Sequence, residues 1–206
     1  MRHSSLLPLS HDHHHGLALA LRCRKQGLGQ IKPMGAEGLR QRAKEFLEFY
    51  RDNLVAHFNA EEQILFPLMR QQVAGCGAMV DQLVQDHDQL RRAMPQLESG
   101  TGLAKLIFDL GDLLERHIRA EERELFPLFE SHVDAAQAGL VGAELQVLLN
   151  PQSARYPQRA RRGQSINFSN TSCRFFVCGR TWPGQRPSSM ALSQAGLVIT
   201  SGLSSS

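Results

Sequence analysis

Two segments of this chain repeat at a constant offset of sixty, and each contains side chains able to hold a cation. One reads His57-Phe-Asn-Ala-Glu61-Glu62-Gln-Ile-Leu65-Phe66-Pro67-Leu68-Met69. The other reads His117-Ile-Arg-Ala-Glu121-Glu122-Arg-Glu-Leu125-Phe126-Pro127-Leu128-Phe129, and eight of the thirteen positions are identical. On an α-helix, residues i and i+4 share one face with Cβ atoms about 6 Å apart. His57 with Glu61, and His117 with Glu121, can therefore offer an imidazole nitrogen and a carboxylate oxygen to one ion. A single such spacing is common as a surface ion pair. Here both pairs lie on stripes with Leu54, Leu65, Leu114 and Leu125. Inside a core an unpartnered carboxylate is costly, and a bound metal is one of the few partners that offsets the cost.

Two further stretches bring imidazoles. His87, in Gln85-Asp86-His87-Asp88, falls on the face of Leu83, Leu90 and Met94. The run His11-Asp12-His13-His14-His15 leads into Leu17-Ala-Leu-Ala-Leu21 without a linker, which argues against an incidental tag. His13 has Leu17 and Leu21 four and eight residues on and is expected to face inward, with His14 as the neighbour able to replace it. The expected ligand set is His13, His57, Glu61, His87, His117 and Glu121. Six donors exceed the four of a structural zinc site. Nitrogen and carboxylate donors without thiolate suit iron or manganese, and shared carboxylates suit a pair of ions. Two iron ions are expected, ahead of manganese or zinc, with Glu61 and Glu121 bridging and positions open to oxygen, nitric oxide or peroxide.

These residues need rods to carry them, and the periodicity supplies helices throughout. A first helix is expected from about His11 to about Gln26, with Leu17, Leu21 and Leu28 on its apolar face, followed by a Gly/Pro-punctuated loop from Gly27 to Gly35. A second carries Leu39, Ala43, Phe46, Phe49, Tyr50, Leu54, His57, Glu61, Ile64 and Leu65 at steps of three and four. A third passes through Met79, Leu83, His87, Leu90 and Met94 and weakens from Pro95 to Gly102; a fourth runs from Leu103 to about His132. Leu140 to Leu149 forms a short fifth piece. The fold class is all-α, an antiparallel up-down four-helix bundle whose interior is the place for a metal site. Pro67 and Pro127 are expected to kink or end their helices just past the ligands. Glu62 and Glu122, one residue beyond the bridges, are expected to point away, solvated or paired with Arg116, Arg119 or lysines. Phe49, Tyr50, Phe66 and Phe126 are expected as core.

The 206 residues carry a net charge of +3, but unevenly. Residues 1–150 hold all 20 acids, all 9 histidines and 16 basic residues, a net of −4; residues 151–206 hold seven arginines and no acid, a net of +7. The expected organisation is a metal-binding domain over 1–150 and a disordered basic tail over 151–206. The tail's Cys173 and Cys178 lack the second half of a zinc motif, and without a folded reader motif the arginines do not make nucleic acid an expected partner. No stretch has the roughly 18 uncharged apolar residues of a membrane span. The Leu6–Leu9 patch is short for a secretory leader, and four scattered cysteines point to the cytoplasm.

From about Leu9 to His132 the sequence resembles the hemerythrin-like, or HHE cation-binding, family, most strongly in the two His-x-x-x-Glu-Glu-x-x-Leu-Phe-Pro segments. Asp12-His13 and Asp86-His87 are similar to the family's single-histidine helices. The resemblance implies a four-helix bundle with a non-haem, oxo- or hydroxo-bridged di-iron centre, with His13, His57, His87 and His117 as terminal ligands and Glu61 and Glu121 as bridges. Oxygen carriers of the family have a histidine four residues after the one matching His87, where Arg91 stands, and an aspartate one residue beyond Glu121. The segment from Glu61 to Pro67 also resembles di-iron proteins that repair iron–sulfur clusters, which carry a cysteine-bearing N-terminal domain and a histidine between the first two helices; neither is present in this sequence. The expected role is a metal- and gas-binding protein or iron store rather than an enzyme. The alternatives are a di-iron enzyme of oxidase, peroxidase or cluster-repair type, and a helical interaction module with structural metal or none. Ferritin-like sites, with Glu-x-x-His order, do not match.

Overall fold

The computed structural model describes residues 2–149, and the tail expected over 151–206 lies outside them. A 3₁₀ turn, Ser4–Leu6, leads into α1 (Leu7–Gly27). The helix starts four residues before His11 because Pro8 sits in its first turn, where a missing N–H costs nothing. Then follow α2 (35–72), α3 (Gly77–Ser99), α4 (103–132) and α5 (Ala135–Leu149). Gly100, at φ +74°, ends α3 in the left-handed conformation that an L side chain rarely adopts. α3 runs through Pro95, held by the buried Met94 and Leu97 on either side of it. α5 begins five residues before Leu140. Asp134 caps it, its carboxylate accepting the Gln137 N–H at 2.8 Å, a start signal the periodicity does not contain.

The long helices lie antiparallel, as their paired residues show. Along α1 and α4, Gly27 meets Ala104 and Phe108, Gly16 meets Ile118, and Ser10 meets Glu122. Along α2 and α3, Arg51 pairs with Glu98 and Arg70 with Asp81. Arg22 of α1 meets Glu45 of α2 while Asp12 meets His57. α1 and α4 approach closely at Gly111, where an added Cβ would lie 2.7 Å from the Ala20 carbonyl oxygen and 3.1 Å from the Arg24 nitrogen. Both obstacles are backbone and cannot swing aside. Gly111→Val is expected to lower the unfolding free energy by about 1–3 kcal/mol, measured by urea denaturation.

The core is split in two. One cluster holds Leu9, Leu65, Phe66, Leu125, Phe126 and Phe129, joined by Val141 and Leu145 of α5. The other holds Leu19, Phe46, Phe58, Leu90, Leu114 and Ile118. Between them lies a polar layer. The first-helix apolar face differs from expectation: Leu21 and Leu28 are exposed, and the buried face is Leu9, His13, Gly16, Ala20 and Cys23. His13 faces inward as expected, but on that face rather than with Leu21.

Neither Pro67 nor Pro127 ends its helix. Immediately before each lies a wide π turn, Glu61–Leu65 and Glu121–Leu125, with the Phe66 and Phe126 N–H groups bonding back to the Glu61 and Glu121 carbonyls. The extra residue per turn absorbs the proline ring and its missing N–H, and the helices continue to Gln72 and His132. A further π turn, Tyr50–Leu54, lies earlier in α2.

Candidate metal centre

The polar layer consists of the six side chains expected to meet. His13, His57, His87 and His117 are at most 3% exposed, and Glu61 and Glu121 are fully buried. They fall into two groups whose ligating atoms lie within 4.8 Å of one another: His13, His57, Glu61 and Glu121, and Glu61, His87, His117 and Glu121. Both glutamates belong to both groups. His14 is exposed and takes no part.

Hydrogen bonding at the outer edge of each imidazole decides what faces inward. Glu122 accepts from His13 Nδ1 at 2.8 Å, Glu62 from His87 Nδ1 at 2.7 Å, and Asp12 from His57 Nδ1 at 3.2 Å. Asp86 stands 3.7 Å from His117 Nδ1, beyond hydrogen-bond length. A proton on Nδ1 leaves the Nε2 lone pair of a neutral ring pointing into the layer. There His13 Nε2 lies 3.0 Å from His57 Nε2, and His87 Nε2 lies 3.1 Å from His117 Nε2. Two lone pairs at that distance repel unless something positive lies between them. Nitrogens about 2.1 Å from one ion and at right angles around it are about 3.0 Å apart, so the spacing fits a shared cation.

The carboxylates agree. Glu61 Oε1 lies 3.1 Å from His57 Nε2, and Glu121 Oε2 lies 3.1 Å from His13 Nε2 and 3.3 Å from His117 Nε2. Yet none of the four glutamate oxygens makes a hydrogen bond, because their approach is off the hydrogen-bonding axis. Nitrogens and oxygens crowd together without bonding one another, which is the arrangement of ligands aimed at a third atom. The donor set fits a pair of metal ions.

The doublet acids point away from the converging donors and pair with arginines as expected, but with other arginines and with the outer edges of two histidines. Glu62 and Glu122 are half-buried and do not pair with Arg116 or Arg119, which bind Asp112 and Glu115 instead. Glu62 grips His87 and is held by Arg91 at 2.7 Å; Glu122 grips His13 and is held by Ser10 and Arg2, each at 2.6 Å. Pointing about 100° from the bridge residue aims each one at the neighbouring helix, not at water. The arrangement is duplicated: α2 supports the histidine of α3, and α4 supports that of α1. The signal was present in the sequence as Glu-Glu after each histidine and Asp before His13 and His87. The aromatics follow the same pattern. Phe66 and Phe126 are core, and they also stack on His87 and His13 with centroids 5.6 and 5.4 Å apart. Phe58, not singled out by its spacing, stacks on His87 at 3.8 Å.

Asp12, Glu61, Glu62, Asp86, Glu121 and Glu122 surround the layer against the guanidiniums of Arg2 and Arg91, so its field attracts cations. Burial opposes charging of His57, but Glu61 beside it and the bond to Asp12 prevail and hold it up at about 10. His13 and His87 are raised in the same way against their burial, by Glu121 with Glu122 and by Glu61 with Glu62. For Glu122, burial is outweighed by bonds from His13, Ser10 and Arg2, which hold it down at about 2. In the metal-free protein the His57 shift stabilises the fold fully below its ordinary value of 6.5, a contribution lost as pH rises through about 10. A metal takes the lone pair a proton would occupy. Uptake is therefore expected to release protons and to weaken about tenfold per pH unit, for each proton displaced, as the solution is acidified below His57's raised value. Metal titrations in two buffers of different ionisation heat check this.

Compared with known proteins, residues 5–138 match the model of the hemerythrin HHE cation-binding domain. No curated protein and no solved structure gave a match.

Proposed function

Because this chain belongs to the hemerythrin HHE cation-binding family, we propose that the buried layer holds two iron ions and that the protein binds oxygen, nitric oxide or peroxide there. His13 and His57 would hold one ion, His87 and His117 the other, with Glu61 and Glu121 shared. One observation carries this reading: paired Nε2 atoms 3.0 and 3.1 Å apart among four buried carboxylate oxygens that bond nothing. Four donors per ion are fewer than the about six an octahedral ion takes, so a small ligand has room to bind. When bound, the pair of irons supplies reversible redox chemistry toward such ligands. The chain's own residues do the rest. Asp12, Glu62 and Glu122 hold the imidazoles in the tautomer that presents Nε2. Phe58, Phe66 and Phe126 lie flat on the rings and exclude bulk water.

Burial pushes the Cys23 thiol up to about 12, so it stays protonated and offers no thiolate to the centre. The buried Cys23 and Cys76 thiols are free, which suits the cytoplasm. No helix among the described residues is long and apolar enough to cross a membrane.

The test is metal analysis of protein purified from its own host, followed by near-ultraviolet absorption of the iron-loaded form with and without azide. Two irons per chain and ligand-responsive charge-transfer bands support the reading. A single zinc, or bands that ignore azide, oxygen and nitric oxide, would sink it. Catalytic turnover of peroxide would move the protein to the enzyme class instead.

A further inference from the structure

The histidine run on α1 has a part that the buried layer does not use. His11 and His15 are four residues apart on the exposed side of the helix, their ring centroids 4.8 Å apart and their planes at 76°. The buried pairs His13–His57 and His87–His117 have centroids 4.8 and 4.6 Å apart, with planes at 57° and 60°. The exposed pair has a similar centroid spacing, with its rings set closer to edge-on. Among the described residues no hydrogen bond engages the ring nitrogens of His11 or His15, so both lone pairs are available. His11 lines a groove of about 350 Å³ with Asp12, Asp52 and Asn53 and without Lys or Arg, while His15 borders another in which Arg22 is paired with Glu45. His14 lines a different groove, with Arg24 and Arg119 both paired to Glu115.

We propose that His11 and His15 form a second, solvent-facing site for a divalent transition-metal cation, separate from the buried layer. Imidazole donors at i and i+4 on a helix reach one ion together. Two nitrogens without thiolate favour Cu²⁺ most and Zn²⁺ or Ni²⁺ next, while Mg²⁺ and Ca²⁺ prefer oxygen. With only two protein donors the remaining positions belong to water, so the ion exchanges readily with solvent. The field of Asp12 and Asp52 raises the local cation concentration.

The experiment is Cu²⁺ titration of the full chain, followed by calorimetry and by electron paramagnetic resonance, in the wild type and in His11→Ala, His15→Ala and His14→Ala. All three residues are exposed, so the fold is not at stake. Beyond whatever the buried layer takes up, one further equivalent with nitrogen hyperfine structure is expected, weakened about tenfold by loss of either His11 or His15 and unchanged by loss of His14. The same titration of His57→Ala separates the two centres: there the exposed equivalent persists whatever happens inside. Equal Cu²⁺ affinity in wild type, His11→Ala and His15→Ala would overturn the proposal. So would a loss that His14→Ala reproduces, or an equivalent that disappears in His57→Ala.

Discussion

Replacing Glu61 with alanine is expected to remove both metal ions, whereas replacing His57 removes one. Glu61 and Glu121 each belong to both ligand groups, while every histidine belongs to a single group. A change at a glutamate therefore takes a donor from each ion and leaves four imidazoles around a hole where negative charge stood. Metal content should fall from about two ions per chain to near none in Glu61→Ala or Glu121→Ala, and to about one in His57→Ala or His87→Ala. Each ion bound at a hundred times its Kd stabilises the fold by about 2.7 kcal/mol, so the glutamate variants should also lose most of the rise in Tm that metal confers. Inductively coupled plasma analysis and thermal melts read the two effects independently. One ion retained at full affinity in Glu61→Ala would show that the carboxylate is not shared.

Glu122→Gln and Glu62→Gln should each weaken metal binding about 10- to 100-fold without emptying the centre. Neither residue belongs to the two groups of converging donors. Each fixes an imidazole by accepting from Nδ1, at 2.8 Å for His13 and 2.7 Å for His87. Glutamine can still accept that bond but loses the charge that makes the imidazole a better donor. The effect should be one-sided: Glu122→Gln touches the ion of His13, Glu62→Gln the ion of His87. Arg91→Ala should reproduce part of the Glu62 effect by freeing that carboxylate. The aspartates differ from each other. Asp12 reaches His57 at 3.2 Å while Asp86 stops 3.7 Å from His117, so Asp12→Asn should cost more affinity than Asp86→Asn. Competition with a chromophoric chelator measures all five, and equal losses for the two aspartates would contradict the distances.

Reading along the chain located helices by apolar steps, and it erred where packing rather than propensity sets the boundary. The cap of α5 by Asp134 is local but outside what apolar steps register, and the passage of α3 through Pro95 rests on the burial of Met94 and Leu97. The helices do not end at Pro67 and Pro127, because π turns precede them, and a widened turn leaves no trace in a spacing count. Leu17 and Leu21 led to the right histidine along the wrong face: His13 is inside because Leu9, Gly16 and Ala20 face α4, and Leu21 is out. What the reading missed at Glu62 and Glu122 was their grip on His87 and His13. An angular step of about 100° says only that a side chain leaves the bridge's direction, and in a bundle that direction is met by the next helix.

The chain's own order of residues determined the donors, their number and their duplication, because an i, i+4 pair is local and a sixty-residue repeat is visible without a fold. It also determined the helical class, since apolar periodicity states which face is to be hidden. Only the tertiary structure decided which histidines meet, that both glutamates face both pairs, and which outer acid steers which ring. Those relations join residues on different helices, from 25 to more than 100 positions apart. Distance between helices is set by the packing of two apolar clusters on either side of the polar layer, a property no single segment possesses.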